Sequence, residues 1–315
     1  MRIDPRSTDT FGDHRSLAAL VARQCSCAPR LVPFFTKRFA ACGSAELRLC
    51  EELSQQIIRL TGDEIDAFIR GYEFLCLHQR REEIHFRRHN RYRLSTLAQA
   101  TSEVYGNLEY MQQYMRGLLL SQVFWSNHTA AIAFYLEELL ARAPCGYDLL
   151  EVGPGHGLLF GRAVADPRAG TVVGWDLSAV SILESERALR ALGVTRPYRL
   201  EQQDVLEPPA EDAMFDTVVL SEVLEHLETP GKALETVRAI LRPNGCLYVN
   251  FPVNCPAPDH LFLLRSPEEA VAFVQAHGFS IERSAFFPAT NHTLEVARQD
   301  ALTISVCLIA RKNGP

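Results

Sequence analysis

The segment that most limits what this chain can fold into is the glycine-rich turn at residues 149–157, Leu-Leu-Glu-Val-Gly-Pro-Gly-His-Gly. An apolar run with one acid comes first, and three glycines then alternate with other residues. This pattern is typical of a buried strand that turns sharply into a helix. Because glycine lacks a Cβ, Gly153, Gly155 and Gly157 permit the tight turn and the close approach of a ligand to the backbone. The turn therefore predicts a nucleoside-like ligand.

The bulk composition limits what the protein can bind. The chain has 315 residues, of which 47% are hydrophobic and 22% charged, as in a globular protein with room for two domains. Its net charge of −6 disfavours nucleic acid as a partner, because it provides no broad positive potential. No stretch approaches the ~20 apolar residues of a membrane span. Nine scattered cysteines and polar first residues predict reduced thiols in a cytoplasmic protein.

The hydrophobic periodicity changes near residues 143–146, from helical to alternating strands and helices. We predict two domains, a helical one at 1–125 and an α/β one at 126–315 that includes the last helix before the change. Before the change the pattern is helical, with candidate helices at 46–60, 62–90, 95–104, 107–125 and 128–142. After it, candidate strands at 147–152, 171–176, 215–220 and 245–251 alternate with candidate helices at 156–166, 179–192, 230–241 and 267–277. Two β-rich runs at 279–287 and 301–311 follow, which fit a hairpin at the edge of a sheet. Strand–helix alternation predicts an α/β fold with a doubly wound parallel sheet.

Acidic residues at three further turns narrow the ligand class. The second strand ends at Asp176, where a carboxylate can accept hydrogen bonds from both hydroxyls of a ribose. Asp204 follows a short strand-like segment, where a carboxylate can accept from an adenine amino group. The fourth strand runs into an acid-rich turn at residues 221–227. The glycine spacing is Gly-x-Gly-x-Gly and differs from the Gly-x-Gly-x-x-Gly of dinucleotide sites.

With these features in order, residues 130–315 resemble the class I S-adenosylmethionine-dependent methyltransferases. The matching segments are Glu151-Val-Gly-Pro-Gly-His-Gly157, Gly174-Trp-Asp-Leu-Ser178, Asp204-Val205, Phe215-Asp216, Ser221-Glu-Val-Leu-Glu-His226 and Leu241-Arg-Pro-Asn-Gly245. The resemblance implies a Rossmann-like seven-stranded sheet whose last strand is antiparallel, with S-adenosyl-L-methionine bound over the carboxyl ends of strands one to four. The helical first part would then be an N-terminal all-helical cap over the substrate.

The resemblance also assigns cofactor-binding roles by position. Its methionine-binding residues are Glu151, Gly153, Pro154, Gly155 and Gly157. Asp176, with Leu177 beside it, would bind the ribose, and Asp204 and Val205 would bind the adenine. Ser221 and Glu222 line the side that faces the methyl group.

Catalytic candidates follow the fourth and fifth strands. Glu222, Glu225 and His226 have i, i+3, i+4 spacing, which places them on one side of a helical turn, and His260 follows the next strand. Imidazole titrates near neutrality, so His226 and His260 are candidate general bases, with Glu222 beside them. A similar Glu-x-x-Glu-His supports metal-assisted transfer in ubiquinone-pathway and small-RNA methyltransferases. A purely structural turn, with His226 hydrogen-bonded to the backbone, is the interpretation that we prefer to a metal site, and we assign no metal ligand.

Two features of the helical part remain open. Tyr110 and Tyr114 share a helix face within a dense aromatic stretch, which can hold a sulfonium or an apolar substrate, or can be an ordinary helical core. We include both tyrosines among the candidate catalytic residues. Residues 78–93 hold six arginines and three histidines against two glutamates. This stretch could bind a phosphate or an acidic carrier protein, but a solvated helix face with intrahelical pairs to Glu82 and Glu83 is the interpretation that we prefer.

The sequence therefore predicts an S-adenosylmethionine-dependent methyltransferase for O- or N-methylation of a small molecule in secondary metabolism. The substrate can be free or attached to a carrier protein, and neither nucleic acid nor membrane is expected as a partner. Two alternatives remain. The first is a cyclase in which the cofactor's amine attacks its own γ-carbon, giving azetidine-2-carboxylate and methylthioadenosine. The second is a non-catalytic cofactor-binding protein. The sequence leaves the oligomeric state and the acceptor open.

Overall fold

The computed structural model describes residues 4–7, 11–207 and 214–314. The first part of the chain is helical, as the periodicity predicts. Its α-helices are α1 (Arg15–Cys27), α2 (Val32–Ala40), α3 (Ser44–Thr61), α4 (Ile65–His89), α5 (Leu97–Ala100), α6 (Leu108–Phe124) and α7 (Ser126–Phe134). The helices α3, α4 and α6 agree closely with the expected ranges. The candidate helices at 95–104 and 128–142 are irregular, because α5 and α7 each continue into a π-helical turn, Thr101–Tyr105 and Tyr135–Leu139.

The cap depends on a close crossing of its two long helices. Where α4 passes α6, a Cβ on Gly117 would lie 2.5 Å from the carbonyl oxygen of Gly71, a distance that no side chain tolerates. Two glycines therefore let the backbones touch. Around this crossing Tyr72, Leu75, Leu120 and the neighbouring aromatic residues form one buried cluster. The result is a tightly packed helical layer.

The second part forms one seven-stranded sheet with the order β3-β2-β1-β4-β5-β7-β6. The strands are β1 (Tyr147–Val152), β2 (Ala169–Asp176), β3 (Arg199–Gln202), β4 (Phe215–Ser221), β5 (Leu241–Val253), β6 (Phe279–Pro288) and β7 (Ile304–Lys312). Strands β1 to β5 pair in parallel, whereas β7 is antiparallel to both β5 and β6. The predicted seven-stranded sheet with an antiparallel last strand is confirmed. The last two strands pair with each other as expected, but β7 lies between β5 and β6, so that β6 is the edge strand.

Helices cover both faces of the sheet, and strand alternation explains why. Leu150 and Val218 face one buried cluster, together with residues of the helices after β4 and β5. Their neighbours Leu149 and Val219 face the opposite cluster. The helices of this part are α8 (Leu158–Ala165), α9 (Ala179–Ala191), α10 (Pro230–Ile240), α11 (Pro267–Ala276) and α12 (Leu294–Gln299). The doubly wound α/β fold is therefore confirmed.

Helix α7 links the two parts of the chain. Its first residue, Ser126, donates its backbone N–H to Thr290 Oγ1 at 2.8 Å, which ties the helix to the segment after β6. Ile132 and Leu158 nevertheless belong to the buried cluster of the cap. The domain boundary at 125/126 therefore remains a prediction. Within the described residues, no helix is long and apolar enough to cross a membrane.

Candidate cofactor and acceptor site

The glycine loop leaves β1 in the backbone conformation that the sequence predicts. Gly153, Gly155 and Gly157 have φ angles of 67°, 52° and 72°, in the left-handed region that favours glycine. The N–H of Gly153 donates to the carbonyl of Trp175 at 2.7 Å. Ser185 on α9 donates its hydroxyl to the Gly155 carbonyl at 2.8 Å. The loop is thus held from two sides, and α8 begins directly after it.

Glu151 supplies an unsatisfied acid beneath this loop. Its side chain is buried, and its Oε2 has no hydrogen-bond partner among the described residues. Burial raises the pKa of this carboxyl well above its usual range, because the ionised form loses its solvation and no cation among the described residues acts on it. An acid buried without a hydrogen-bond partner destabilises the folded state, so its position marks a place where an N–H group or a cation of a ligand would fit.

Asp176 lies at the carboxyl end of β2, beside the glycine loop. Its Oδ1 accepts from the backbone N–H of Ser178 at 2.8 Å, and its main-chain carbonyl accepts from Gln203 N–H at 3.0 Å. Burial raises the pKa of this carboxyl, so a hydroxyl donor would replace lost solvation. The next residue, Leu177, is 56% exposed, which is unusual for a leucine and suits a site covered by a ligand.

The turn after β3 brings the predicted adenine residues to the same sheet edge. Asp204 Oδ1 accepts from the backbone N–H of Leu206 at 2.8 Å, which fixes the direction of the carboxylate. Val205 is buried in the sheet cluster that includes Trp175. These positions agree with the predicted binding order along the sheet, and their individual roles stay predictions.

The turn after β4 carries two acids in unusual settings. Glu222 has a φ of 55°, and its N–H donates to the carbonyl of Asn250 at 2.9 Å. Burial raises the pKa of Glu222 to about 7. Glu225 is fully buried, and neither of its carboxylate oxygens has a hydrogen-bond partner among the described residues. Burial, and then the nearby Glu222, raise the pKa of Glu225 well above its usual range.

A third acid, Asp259, reaches these residues from the segment after β5. Its carboxylate accepts from Tyr114 at 3.2 Å and from Tyr105 at 3.5 Å, so two cap residues donate to one acid of the sheet domain. His226 Nδ1 lies 3.4 Å from Asp259 Oδ2, and its Nε2 lies 3.9 Å from Glu225 Oε1. We call Glu222, Glu225, Asp259, His226 and His260 the acid cluster.

The backbone of Glu225 holds the acid cluster together. Its carbonyl oxygen accepts from the N–H groups of Leu261 at 2.7 Å and Phe262 at 3.0 Å. His260 is buried in the same segment, and its Nδ1 lies 2.7 Å from the Cys255 carbonyl, to which it donates. Burial lowers the pKa of His260 to about 3, so this ring is neutral at physiological pH.

Comparisons with known proteins agree with this geometry. A family model described as Methyltransferase domain matches residues 150–247. The ubiquinone biosynthesis O-methyltransferase of Caulobacter vibrioides is 34% identical over 124 residues, which cover 38% of this chain and 46% of that protein. A segment of chondramide synthase cmdD from Chondromyces crocatus is 30% identical over 123 residues, 36% of this chain and 3% of that protein.

The family model therefore identifies a methyltransferase domain at residues 150–247, which supports the resemblance of the α/β part to the class I S-adenosylmethionine-dependent methyltransferases. The cofactor of this family is S-adenosyl-L-methionine. The chain covers about half or less of the length of the curated relatives described above. Among solved structures, the [4+2]-cyclase SpnF has a TM-score of 0.47 at 22% identity, covering 58% of this chain and 82% of that chain. A methyltransferase from Aquifex aeolicus has a TM-score of 0.43 at 16% identity, with coverages of 60% and 92%.

The residues of the methyltransferase domain fit S-adenosylmethionine chemically. The unpartnered acid of Glu151 suits an amino group, and Asp176 suits the hydroxyls of a ribose. Among the described residues, no Arg or Lys forms a hydrogen bond or an ion pair with Glu222, Glu225 or Asp259. The acid cluster therefore favours a positive charge nearby, such as that of a sulfonium.

Three residues of the acid cluster could also hold a metal ion. One ligand atom from each of Glu225, His226 and His260 lies within 4.8 Å of the others. Such a set of carboxylate and imidazole ligands suits a transition metal. The sequence assigned no metal ligand, and that assignment stays a prediction.

The structure places the predicted tyrosines differently from each other. Tyr114 is buried and bonded to Asp259, whereas Tyr110 stacks on it with ring centroids 6.2 Å apart. Burial raises the pKa of Tyr110 to about 12. Predictions from the sequence missed Asp259 and Tyr105. Asp259 directly precedes His260, and Tyr105 belongs to the same aromatic stretch, but only the fold shows that they meet.

One more histidine has a lowered pKa. His128, near the start of α7, lies 3.0 Å from the Ser121 hydroxyl, and a charge on His156 of the glycine loop adds to the effect of burial on its pKa. Burial lowers the pKa of both rings to about 4. Sequence reasoning noted His128 only as an interruption of the aromatic stretch.

Proposed function

We propose that this protein is a cytoplasmic S-adenosylmethionine-dependent methyltransferase whose acceptor is a small molecule, free or attached to a carrier protein. The proposal rests on the two hydrogen bonds that Tyr105 and Tyr114 donate to the carboxylate of Asp259. Because these cap tyrosines donate to an acid that follows β5, the helical cap covers the carboxyl edge of the sheet. A site covered in this way would suit a small acceptor and would exclude bulk water.

Each side of the pocket has a defined task in this proposal. The bound cofactor supplies an activated methyl group on a positively charged sulfur. Glu151 and Asp176 bind its polar ends, and the glycine loop lets it approach the backbone. On the other side, the acid cluster favours a positive charge at the reacting end. His226, 3.4 Å from Asp259, is placed to receive a proton from an acceptor hydroxyl or amine and to be stabilised by that carboxylate.

The experiment that tests the proposal is a product profile by mass spectrometry. The protein is incubated with S-adenosylmethionine, with and without a panel of small hydroxyl- and amine-bearing acceptors. We expect S-adenosylhomocysteine to form only when an acceptor is present, and the mass of the acceptor to rise by about 14 units for each methyl group transferred. Methylthioadenosine without an added acceptor would overturn the proposal. Binding without any turnover over a broad panel would favour the non-catalytic alternative.

One observation favours the cyclase as a second candidate. Burial, and then a charge on His156 of the glycine loop, lower the pKa of His128 to about 4, so this imidazole is neutral at physiological pH and can accept a proton. If His128 takes a proton from the cofactor's amine, that nitrogen can bond to the γ-carbon while the carbon–sulfur bond breaks with its electron pair on sulfur. The products are azetidine-2-carboxylate and methylthioadenosine. Incubation with the cofactor alone separates the two candidates, since only the cyclase forms methylthioadenosine in stoichiometric amount with the ring amino acid.

A further inference from the structure

The second half of α4 presents a face that the protein core does not cover. Leu77 and Ile84 are 49% and 44% exposed, unlike the large apolar residues that form the core of the cap. Arg81 and Arg88 lie between and after them at intervals of three and four residues, so these side chains share one helix face, with Arg80 beside them. We call Leu77, Arg80, Arg81, Ile84 and Arg88 the basic stripe. All five are exposed, and the stripe is about 16 Å long.

The arginines of the basic stripe have no acid to neutralise them. The intrahelical pairs expected from the sequence form only once, because Arg87 pairs with Glu83 at 2.6 Å, whereas Glu82 pairs at 2.9 Å with Arg93, beyond the end of the helix. None of the three stripe arginines forms an ion pair with an acid of the described residues. Attraction to the carboxyl end of a helix explains cations in the last turn, but it does not explain Arg81 or the exposed aliphatic residues.

A series of contacts links the basic stripe to the acid cluster. Arg81 Nη1 lies 3.5 Å from His78 Nε2, and the His78 ring centroid lies 5.0 Å from that of Tyr110. Tyr110 stacks on Tyr114 at 6.2 Å, and Tyr114 donates to Asp259 at 3.2 Å. The basic stripe therefore flanks the cap tyrosines that reach the predicted acceptor site.

The same part of the cap is bound directly to the segment after β5. Gln79 Nε2 donates to the carbonyl of Pro256 at 2.8 Å, and the backbone N–H of Cys255 donates to the hydroxyl of Tyr92, just beyond α4, at 3.0 Å. This segment also carries Asp259 of the acid cluster. A partner on the basic stripe would therefore dock on a helix that is fixed to the acceptor side of the site.

The composition of the basic stripe favours a protein helix with acidic and aliphatic side chains. Guanidinium groups bind carboxylates in a bidentate manner, and the two aliphatic residues provide apolar contact between them. Two exposed aliphatic side chains without an aromatic residue give little area for insertion into a membrane. The net charge of −6 disfavours the polyphosphate of a nucleic acid. A carrier protein with an acidic helix next to the arm that holds its cargo meets both requirements.

We propose that the basic stripe docks the acidic helix of a carrier protein, which delivers the acceptor to the acid cluster. The inference rests on the proposed function and decides between its two forms of acceptor, free and carrier-bound. Attraction between the unneutralised arginines and the acidic helix would speed the encounter and would weaken as salt is added.

Fluorescence anisotropy with labelled probes tests the proposal without any turnover. The probes are an acidic acyl carrier protein that bears its phosphopantetheine arm, the same carrier with the glutamates of its exposed helix changed to glutamine, and a short single-stranded RNA. Vesicles of phosphatidylglycerol are tested by co-sedimentation. We expect the acidic carrier to bind the wild-type protein about 10-fold more tightly than the amidated carrier does. Arg81→Glu combined with Arg88→Glu should weaken carrier binding about 10-fold, and Leu77→Ser combined with Ile84→Ser about 5-fold.

A matched pair of substitutions separates the basic stripe from net charge. Arg15→Glu combined with Arg59→Glu changes two exposed arginines of α1 and α3 that form no ion pair among the described residues, and it gives the same net charge. Carrier affinity should then stay as in the wild type. Equal weakening by both arginine pairs, absence of carrier binding, or binding of RNA or vesicles at the stripe in place of the carrier would overturn the proposal.

Cofactor binding separates this inference from the proposed function. The affinity for S-adenosylhomocysteine, measured by calorimetry, should be equal in the wild type and in all three double variants, which also shows that they are folded. If the wild type binds no S-adenosylhomocysteine, the proposed function fails whatever the carrier does. If it binds S-adenosylhomocysteine and methylates free acceptors but does not bind the carrier, only this inference fails.

Discussion

The glycine loop and the acid cluster occupy the same edge of the sheet but are built in different ways. The loop comes from one run of nine residues, and burial keeps its histidine, His156, neutral. The acid cluster joins a turn after β4 and a segment after β5, where two cap tyrosines donate to Asp259, and burial raises the pKa of its two glutamates. One half is therefore local in sequence, and the other is assembled from distant segments and rich in acid.

The difference indicates how such a site divides its work. A local turn with fixed φ angles keeps one geometry whatever surrounds it, which suits a cofactor shared by a whole family. A cluster that depends on several loops and on the cap changes when any of them changes, which suits an acceptor that differs between proteins. The two halves should therefore respond independently to mutation and to pH.

The largest expected effect breaks the glycine-loop half. Asp176→Ala removes the acceptor predicted for both ribose hydroxyls, so the affinity for S-adenosylhomocysteine should fall about 100-fold in calorimetry. The matched variant Glu186→Ala, which removes a partly exposed acid of α9 that pairs with Arg190, should bind as the wild type does. The free energy of unfolding should change little in either. An unchanged affinity in Asp176→Ala would mean that the ribose is held elsewhere.

A smaller effect is expected in the acid cluster. Tyr114→Phe removes a buried hydroxyl that donates to Asp259, and should lower the free energy of unfolding by about 1–2 kcal/mol in urea titrations. Tyr110→Phe is the control, because the Tyr110 hydroxyl has no hydrogen-bond partner among the described residues. Neither change should alter the affinity for S-adenosylhomocysteine. Equal destabilisation by both variants would show that ring packing, and not the hydrogen bond, matters.

Acid should weaken the glycine-loop half. Burial lowers the pKa of His128 and His156 from an ordinary 6.5 to about 4, so between these values the unfolded chain binds protons that the folded chain refuses. The stability that depends on these neutral rings is present above pH 6.5 and is lost as the pH falls through 4. In urea titrations from pH 7 to pH 4.5, His128→Leu should flatten this decline by about 1 kcal/mol. An unchanged slope would contradict burial of the ring.

Alkali should weaken the acid cluster, with the opposite sign. The pKa of Glu222 is raised from 4.5 to about 7, so the folded chain keeps a proton that the unfolded chain has lost. That stability is present below pH 4.5 and is lost as the pH rises through 7. Glu222→Gln should remove this decline, again about 1 kcal/mol between pH 5 and pH ~8. A wild-type stability that rises over this window, with no change in the variant, would show that the carboxyl is not buried.

The last change, removal of metal ions, is expected to have no effect on cofactor binding. Glu225, His226 and His260 are the candidate metal ligands, and all three lie in the acid cluster. Chelation with EDTA should therefore leave the affinity for S-adenosylhomocysteine unchanged in calorimetry. A loss of affinity after chelation, restored by manganese, would show that the two halves are coupled through a metal ion.

The sequence predicts the parts of the molecule that depend on neighbours along the chain. The strands β1 and β2 end at the expected residues and β4 ends one residue later, because apolar runs and glycines determine them locally. The sequence predicted neither α1, whose start has no side-chain cap, nor α2, a nine-residue helix with Pro33 in its first turn. The contact of Tyr114 with Asp259 spans 145 residues, and nothing local to either residue encodes it. Sequence periodicity also cannot show a π-helical turn such as Tyr135–Leu139.

The two hydrogen bonds to the Glu225 carbonyl have a practical meaning for anyone who wishes to redesign this protein. The N–H groups of Leu261 and Phe262 bind the segment after β5 to the turn after β4, so these two segments should be exchanged together. A library that randomises residues 222–227 while keeping 255–262, or the reverse, would disturb this contact. Replacing both segments with those of one relative would keep the contact and leave the predicted cofactor site unchanged.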